Sequence, residues 1–464
     1  MTKPLSPEIL VYGLTQASDP RISPDGSQVL YTRSQTSPES HKTSSQVWVV
    51  RCDGSDARQL TQSGERNGGA RWSPDGLSVA FVSDRVEEAG VVVLPMRGGE
   101  AREVTKHHSP VSDLDWSPDG SRLVYTVAVD PDAAEDEVPD NDAAAPVRVT
   151  RRIDYKQGGR GYLHDKRFQT FVVDVESGET KKVSTDVADY NFPSWSPDGT
   201  NVTLTGDSSL TWQTDFYVYE VASGALSQLT SDLQCLPAGG QPGMQGPAQP
   251  LCREDGTVLF HAMHRGAGML DRLQVATGKV EAVSGAQAMP NGFSATADGQ
   301  TIVQACTSLE SSLEVLLHDL RTGDSRRLTR EGAKVLDESP PARWERFDVT
   351  RDGSTTEAWA LMSADFDPAR KYPVILDVHG GPNGFYGYGF VPMQQCLATN
   401  GFILVFSNLR GSSSYGREFT RQVIGDWGGE DYHDLMAVVD KVLERDYADG
   451  DRVGICGGTA MVVT

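Results

Sequence analysis

Through the first three-quarters of the chain, apolar residues fall in short alternating or continuous runs such as Val79-Ala80-Phe81-Val82 and Leu123-Val124-Tyr125. These lengths suit β-strands, and each run follows the same punctuation. An apolar or aromatic residue and Ser-Pro-Asp-Gly stand at Ile22-Ser23-Pro24-Asp25-Gly26, Trp72-Ser73-Pro74-Asp75-Gly76, Trp116-Ser117-Pro118-Asp119-Gly120 and Trp195-Ser196-Pro197-Asp198-Gly199. Weaker copies occur at Arg253-Glu254-Asp255-Gly256 and Thr296-Ala297-Asp298-Gly299. Proline fixes φ and Asp-Gly accepts left-handed angles, so each motif closes a hairpin. The six aspartates recur at intervals of 50, 44, 79, 57 and 43 residues, close to the roughly 40–50 residues of a four-stranded propeller blade. A second hairpin ends units on Gln59-Leu60-Thr61, Glu103-Val104-Thr105, Gln228-Leu229-Thr230 and Arg327-Leu328-Thr329. The pattern predicts an N-terminal segment over 1–19 and a β-propeller over 20–335. It holds six four-stranded blades, with room for a seventh in degenerate sequence or completed from both ends. The tryptophans read as packing between blades.

The 79-residue interval carries an insertion near 130–166, acidic at Asp130, Asp132, Glu135, Asp136, Glu137, Asp140 and Asp142, then basic at Arg148, Arg151, Arg152, Lys156 and Arg160. It reads as a solvated loop. The Pro/Gly/Gln stretch over 237–250 reads as another.

After about residue 345 the period changes. Pro373-Val374-Ile375-Leu376-Asp377-Val378 and Phe402-Ile403-Leu404-Val405-Phe406 are continuous apolar runs, as in strands buried on both faces of a parallel sheet. Leu435, Val439, Val442 and Leu443 share one face of a helix predicted over 431–445. Arg452-Val453-Gly454-Ile455-Cys456 is a further strand running into Gly457-Gly458. Strands alternating with a helix predict an α/β domain over 345–464, its site at the carboxyl ends of the strands.

Composition narrows the function. Lys and Arg number 42 against 64 Asp and Glu, a net charge of −22. That is the wrong sign for a nucleic-acid groove. No apolar stretch approaches the roughly 18 residues of a membrane helix, and the N-terminus lacks the apolar core of a signal peptide. Six scattered cysteines without a CxxC pair read as reduced thiols, so the chain is expected in the cytoplasm. Neither a phosphate-cradling loop nor zinc-finger spacing occurs, so no cofactor and no metal is expected. His107, His108, His164, His261, His264 and His318 read as structural or exposed propeller residues.

The C-terminal motifs are ordered: His379-Gly380-Gly381-Pro382, Asn408-Leu409-Arg410-Gly411-Ser412, Tyr415-Gly416, Gly425-Asp426-Trp427-Gly428, Asp431-Tyr432, and the strand ending at Gly457-Gly458. With the repeats before them, they make nearly the whole chain resemble the prolyl oligopeptidase family of serine peptidases, most closely its acylaminoacyl-peptidase branch. The resemblance implies a β-propeller followed by an α/β-hydrolase domain, and acyl transfer from a peptide bond by a serine with histidine and aspartate behind it. It implies oxyanion donors at Gly380 or Gly381 and at Ala460, where glycine lets the main chain approach the substrate oxygen. The propeller would cap the site and admit only short peptides, some N-acylated, and members of the family self-associate. By the family pattern His379 shapes a loop and is not the base. Asp426, Trp427 and Arg410 read as scaffold.

The family's strand-to-helix elbow reads Gly-Gly-Ser-Tyr-Gly-Gly-Tyr-Met, whereas here Gly457-Gly458-Thr459-Ala460-Met461-Val462-Val463-Thr464 stands in its place. Thr459 occupies the nucleophile position, and the distal part that would carry the triad aspartate and histidine is absent from these residues. The hydrolase domain is therefore expected to be truncated and the chain inactive alone. Ala460 to Thr464 can be written GCT ATG GTG GTT ACA. Preceded by one A, the same bases regroup as AGC TAT GGT GGT TAC A, or Ser-Tyr-Gly-Gly-Tyr. A shift of reading frame at the nucleophile is thus expected, and the nucleotide sequence tests it. Two other readings stand beside this one: Cys456 as the nucleophile of Gly454-Ile455-Cys456-Gly457-Gly458, and a non-catalytic propeller scaffold or binding protein.

Overall fold

The computed structural model describes residues 2–85, 90–129, 155–157, 161–162, 166–184, 189–207, 214–231, 233–237, 249–381 and 383–457. The acidic run from Asp130 to Asp142 and most of the loop over 237–250 lie outside them.

Six four-stranded antiparallel sheets follow one another along the chain, over 16–59, 67–106, 111–182, 189–228, 251–286 and 289–327. These are the blades of a β-propeller. The Ser-Pro-Asp-Gly turns build themselves from local hydrogen bonds. In the first, Ser23 Oγ donates to Asp25 Oδ1 at 2.5 Å, the Ser27 N–H donates to the same oxygen at 3.0 Å, and Gly26 takes φ +72°. Successive turns stack: Pro24 lies 3.7 Å from where a Cβ on Gly76 would sit, Pro74 3.6 Å from that of Gly120, and Pro118 3.7 Å from that of Gly199.

Two of the motif tryptophans reach back one blade, Trp72 Nε1 donating to Arg21 O and Trp116 Nε1 to Arg71 O. The Leu-Thr endings have a matching role. Thr61, Thr230 and Thr329 accept through Oγ1 the N–H of Val47, Phe216 and Val315, each fourteen residues upstream. Ser184 does the same for Thr170. A side chain thereby satisfies a buried amide within the third strand of four of the six blades.

There is no seventh four-stranded sheet among the described residues, and no strand from one end of the chain completes a blade begun at the other. Side chains close the ring instead. Ala17, Ile22, Val29 and Tyr31 of the first blade share one core with Val303, Ala305 and Val315 of the sixth. Ser294 Oγ accepts the Ile22 N–H at 2.7 Å.

The C-terminal domain is a five-stranded sheet, its strands labelled here β1 (Arg343–Arg351), β2 (Ser354–Met362), β3 (Tyr372–Val378), β4 (Ile403–Asn408) and β5 (Ala448–Gly457). Their order is β1-β2-β4-β3-β5, with β4, β3 and β5 parallel and the others antiparallel. Helix α1 (Pro392–Thr399) and helix α2 (Glu430–Leu443) accompany it. Val439 and Val442 of the expected stripe, and Val438 beside it, pack with Val374, Leu376, Ile403 and Val405 of the sheet, with Leu435 and Leu443 partly buried at the margin. On its other side, Ala398 of α1 joins a core with Trp359, Leu361, Leu404 and Phe406.

Several contacts join the domains, among them the Phe390 N–H donating to Thr307 Oγ1 and Arg417 Nη2 donating to Ser231 O. Residues 5–14 leave the propeller side and bury Leu5, Leu10 and Leu14 against Phe390, while the Leu5 N–H donates to Thr399 Oγ1 at 3.1 Å. The hairpin of the fifth blade meets the carboxyl edge of the sheet, where the Arg265 N–H donates to Ser414 O at 2.8 Å. Gly266 at its tip takes φ +71°, and a Cβ there would lie 2.7 Å from Tyr386 O. Only glycine fits so close an approach.

Candidate active site

Because β4, β3 and β5 are parallel, their carboxyl ends gather at one edge, and Val378 of β3 is in register with Gly457 of β5. The chain leaving β3 is His379-Gly380-Gly381. Gly381 takes φ +136°, and a Cβ on it would lie 2.5 Å from both Asn383 N and Gly384 N. The Gly384 N–H donates back to Gly380 O at 3.0 Å, which turns the peptide so that the loop closes on itself. Asn383 Nδ2 donates to Gly411 O at 2.7 Å and to Thr420 O at 3.1 Å, fastening this loop to the one leaving β4. Among the described residues none accepts a hydrogen bond from the N–H of Gly380 or Gly381, and Gly381 is exposed. Two donors therefore stand unused at the carboxyl end of the central strands.

His379 is held, not free. The Ser412 hydroxyl donates to Leu409 O at 2.7 Å and so accepts from His379 Nε2 at 2.9 Å. Burial pushes the imidazole down to about 4, and its ring meets Tyr386 edge-on at 5.4 Å. A neutral imidazole already donating to a serine positions a loop; its geometry makes it a strut between the β3 and β4 loops.

Beneath the loop, buried Asp377 on β3 accepts from Gln394 Nε2 at 2.8 Å, and burial raises its carboxyl above the ordinary range. Cys456 is its neighbour across the ladder, with Sγ 3.7 Å from Asp377 Oδ1. Burial and then the Asp377 charge push this thiol up to about 11. A thiol so protonated is a poor nucleophile, which counts against the Cys456 reading.

The loop leaving β4 is pinned to α2 by charge. Asp434 accepts from Arg410 Nε at 2.7 Å and Nη2 at 2.8 Å, and from Arg351 Nε at 3.2 Å. Asp426 accepts the Glu430 N–H at 2.9 Å, at the start of the same helix. Trp427 is half exposed beside Gly380 and Gly381, lining one small cleft with them and Tyr432. Of the four positions the sequence singled out, Gly380 and Gly381 lie on the loop just described, whereas Thr459 and Ala460 lie outside the described residues. Asn383, Ser412 and Asp434 were missed. Their spacing to His379 and Arg410 carries no period, and only the folded loops bring them together.

Two family models match the chain: the TolB beta propeller domain over residues 11–138 and the prolyl oligopeptidase family over 388–460. An uncharacterized peptidase, YuxL, of Bacillus subtilis is 29% identical, covering 97% of this chain and 78% of the relative. Dipeptidyl-peptidase 5 of Porphyromonas gingivalis is 25% identical over 98% of this chain and 75% of its own length. The solved acylaminoacyl peptidase of Pyrococcus horikoshii superposes with a TM-score of 0.74 at 20% identity, covering 98% of this chain and 75% of that one, a likeness of fold. No described helix is long and apolar enough to cross a membrane. With its propeller, its parallel strands ending at a glycine loop and these relatives, the chain is similar to the prolyl oligopeptidase family of peptidases, whose model matches residues 388–460.

Proposed function

We propose that this site serves acyl transfer from short peptides, N-acylated ones included, with the nucleophile position at Thr459 and the oxyanion held by the N–H of Gly380 or Gly381 together with that of Ala460. The observation that carries the reading is the pair of unengaged amides on a loop whose glycine at 381 tolerates no side chain. Such preorganised donors cost no reorganisation when negative charge develops on a carbonyl oxygen. The register of Val378 with Gly457 supports it, since Thr459 follows two residues later. In this reading the propeller covers the edge and limits substrates by size.

A base and its orienting carboxylate are needed to activate a hydroxyl nucleophile. His379 is engaged with Ser412, so a polypeptide of residues 1–464 is expected to turn over no peptide. All six cysteines are free, which supports residence in the reducing cytoplasm. Self-association is part of the same proposal.

The test is labelling by a fluorophosphonate probe, with hydrolysis of an N-acyl-aminoacyl and an unblocked dipeptidyl chromogenic substrate as second readouts. Residues 1–464 should not label. The polypeptide produced when the Ser-Tyr-Gly-Gly phase is restored should label and cleave. Labelling of residues 1–464 would overturn the incomplete site. Failure of the restored chain to label would favour a non-catalytic scaffold, and cleavage of the unblocked substrate alone would remove the N-acyl preference.

A further inference from the structure

The fifth blade carries a cluster that the peptidase reading does not use. Cys235 lies in the connection from the fourth blade, while His264 and Asp271 sit on the two strands of the fifth-blade hairpin (Thr257–His264 and Ala267–Gln274). One ligating atom from each, the Cys235 Sγ, a His264 ring nitrogen and an Asp271 carboxylate oxygen, lie within 4.8 Å of one another. His264 Nε2 is 2.8 Å from Asp271 Oδ2. Asp271 is 1% exposed, its Oδ1 has no nitrogen or oxygen partner among the described residues, and the Cys235 thiol interacts with the carboxylate. Cys235 is buried as well, and burial followed by the Asp271 charge raises its thiol well above the ordinary range.

A carboxylate, a thiol and an imidazole gathered within 4.8 Å and largely out of water offer a cation three converging ligands. We propose that Cys235, His264 and Asp271 form a binding site for a divalent transition metal of the Zn2+ type. Sulfur, imidazole and carboxylate together suit a borderline-soft ion, not the all-oxygen shells of Ca2+ or Mg2+. One thiolate, one carboxylate and one neutral imidazole balance a charge of +2. On entry the metal replaces the proton on the Cys235 sulfur, which passes to solvent, and takes the Nε2 lone pair of His264, whose remaining proton resides on Nδ1. The half-exposed side of His264 leaves a fourth position open to water.

Location suggests the consequence. Leu236, next to Cys235, exchanges both backbone hydrogen bonds with Met263, next to His264. The tip of the same hairpin donates to Ser414 of the C-terminal domain. A metal here would clip the connection over 233–237 to the hairpin that touches the carboxyl edge of the sheet, stiffening the junction between the domains.

Co2+ is the probe, because a cobalt–thiolate bond gives a charge-transfer absorption that nitrogen and oxygen ligands do not. The metal-free full chain should take up one Co2+ with that absorption, and Zn2+ should displace it. Cys235→Ser should abolish the band, and Asp271→Asn should weaken binding at least about tenfold, since even outer groups of metal sites are worth 10–100-fold. Cys52→Ser, a control in the first blade, should keep the band. Far-ultraviolet circular dichroism verifies that each variant is folded; an unfolded Asp271→Asn is replaced by His264→Gln, with the same expected loss. Absence of the band in the wild-type chain at excess Co2+, or its persistence in Cys235→Ser, overturns the proposal.

Discussion

Asp434→Ala should loosen the loop that follows β4, and the structure sets the size of the effect. The carboxylate is 1% exposed and faces two guanidinium groups, Arg410 at 12% and Arg351 at 25% exposure. Removing one partner of a buried ion pair costs about 3–5 kcal/mol, because the other charge is left stranded. Arg351 keeps Glu430 at 2.5 Å, but Arg410 would have only Glu430 at 3.8 Å. The loss therefore falls on Arg410 alone, at the lower end, about 3 kcal/mol. At about 1.4 kcal/mol per factor of ten, this is roughly a 150-fold rise in local opening. Hydrogen exchange of the α2 amides reads it directly. The double variant Arg410→Met/Asp434→Leu removes both charges and should recover most of the protection, as apolar replacement of a buried pair commonly does. If Asp434→Ala changes exchange less than about threefold, or the double variant opens as readily as the single one, the stranded-charge reasoning fails.

Two further outcomes follow from buried and strained positions. His261 has both ring nitrogens buried without partners, and burial, then the Arg21 charge, push it down to about 3. Its unfolded value is near 6.5, so above that pH it is neutral in both states. Below it the unfolded chain takes up a proton that the fold refuses, and stability falls as pH drops from about 6.5 toward 3. The melting temperature of His261→Phe should decline less over this window; equal slopes would contradict the assignment. Gly381→Ala meets a forbidden φ and two backbone nitrogens at 2.5 Å, and should lower C-terminal-domain stability by about 1–3 kcal/mol. Gly450→Ala, with nothing within 4 Å, should stay within about 0.5 kcal/mol. Denaturant unfolding separates the two, and equal effects would show that the loop at 381 yields.

The repeat was legible in one dimension because each blade is locally determined. The turn at residues 22–26 draws its bonds from residues within five positions, and strand alternation follows from the sheet's two faces. The same holds for α2, whose buried stripe has helical period, and for the glycine loop after β3, whose residue types carry the constraint themselves. Six blades were legible as six repeats; that no seventh is needed, and how the ring closes, were not. Whether six sheets suffice depends on how the first blade's core fits the sixth, a contact between residues almost three hundred positions apart. Likewise, nothing in the spacing of Leu5 announces Thr399 as its partner.

Sequence by itself determined the two architectures, their order and the glycine loop at the strand ends. The tertiary structure alone decided that His379 is occupied by Ser412, that Cys456 lies beside Asp377, and that Cys235 meets His264 and Asp271. The physical reason is one of range. Turn chemistry and hydrophobic period act between neighbours along the chain, whereas hydrogen bonding, burial and charge act between neighbours in space, which no linear spacing encodes.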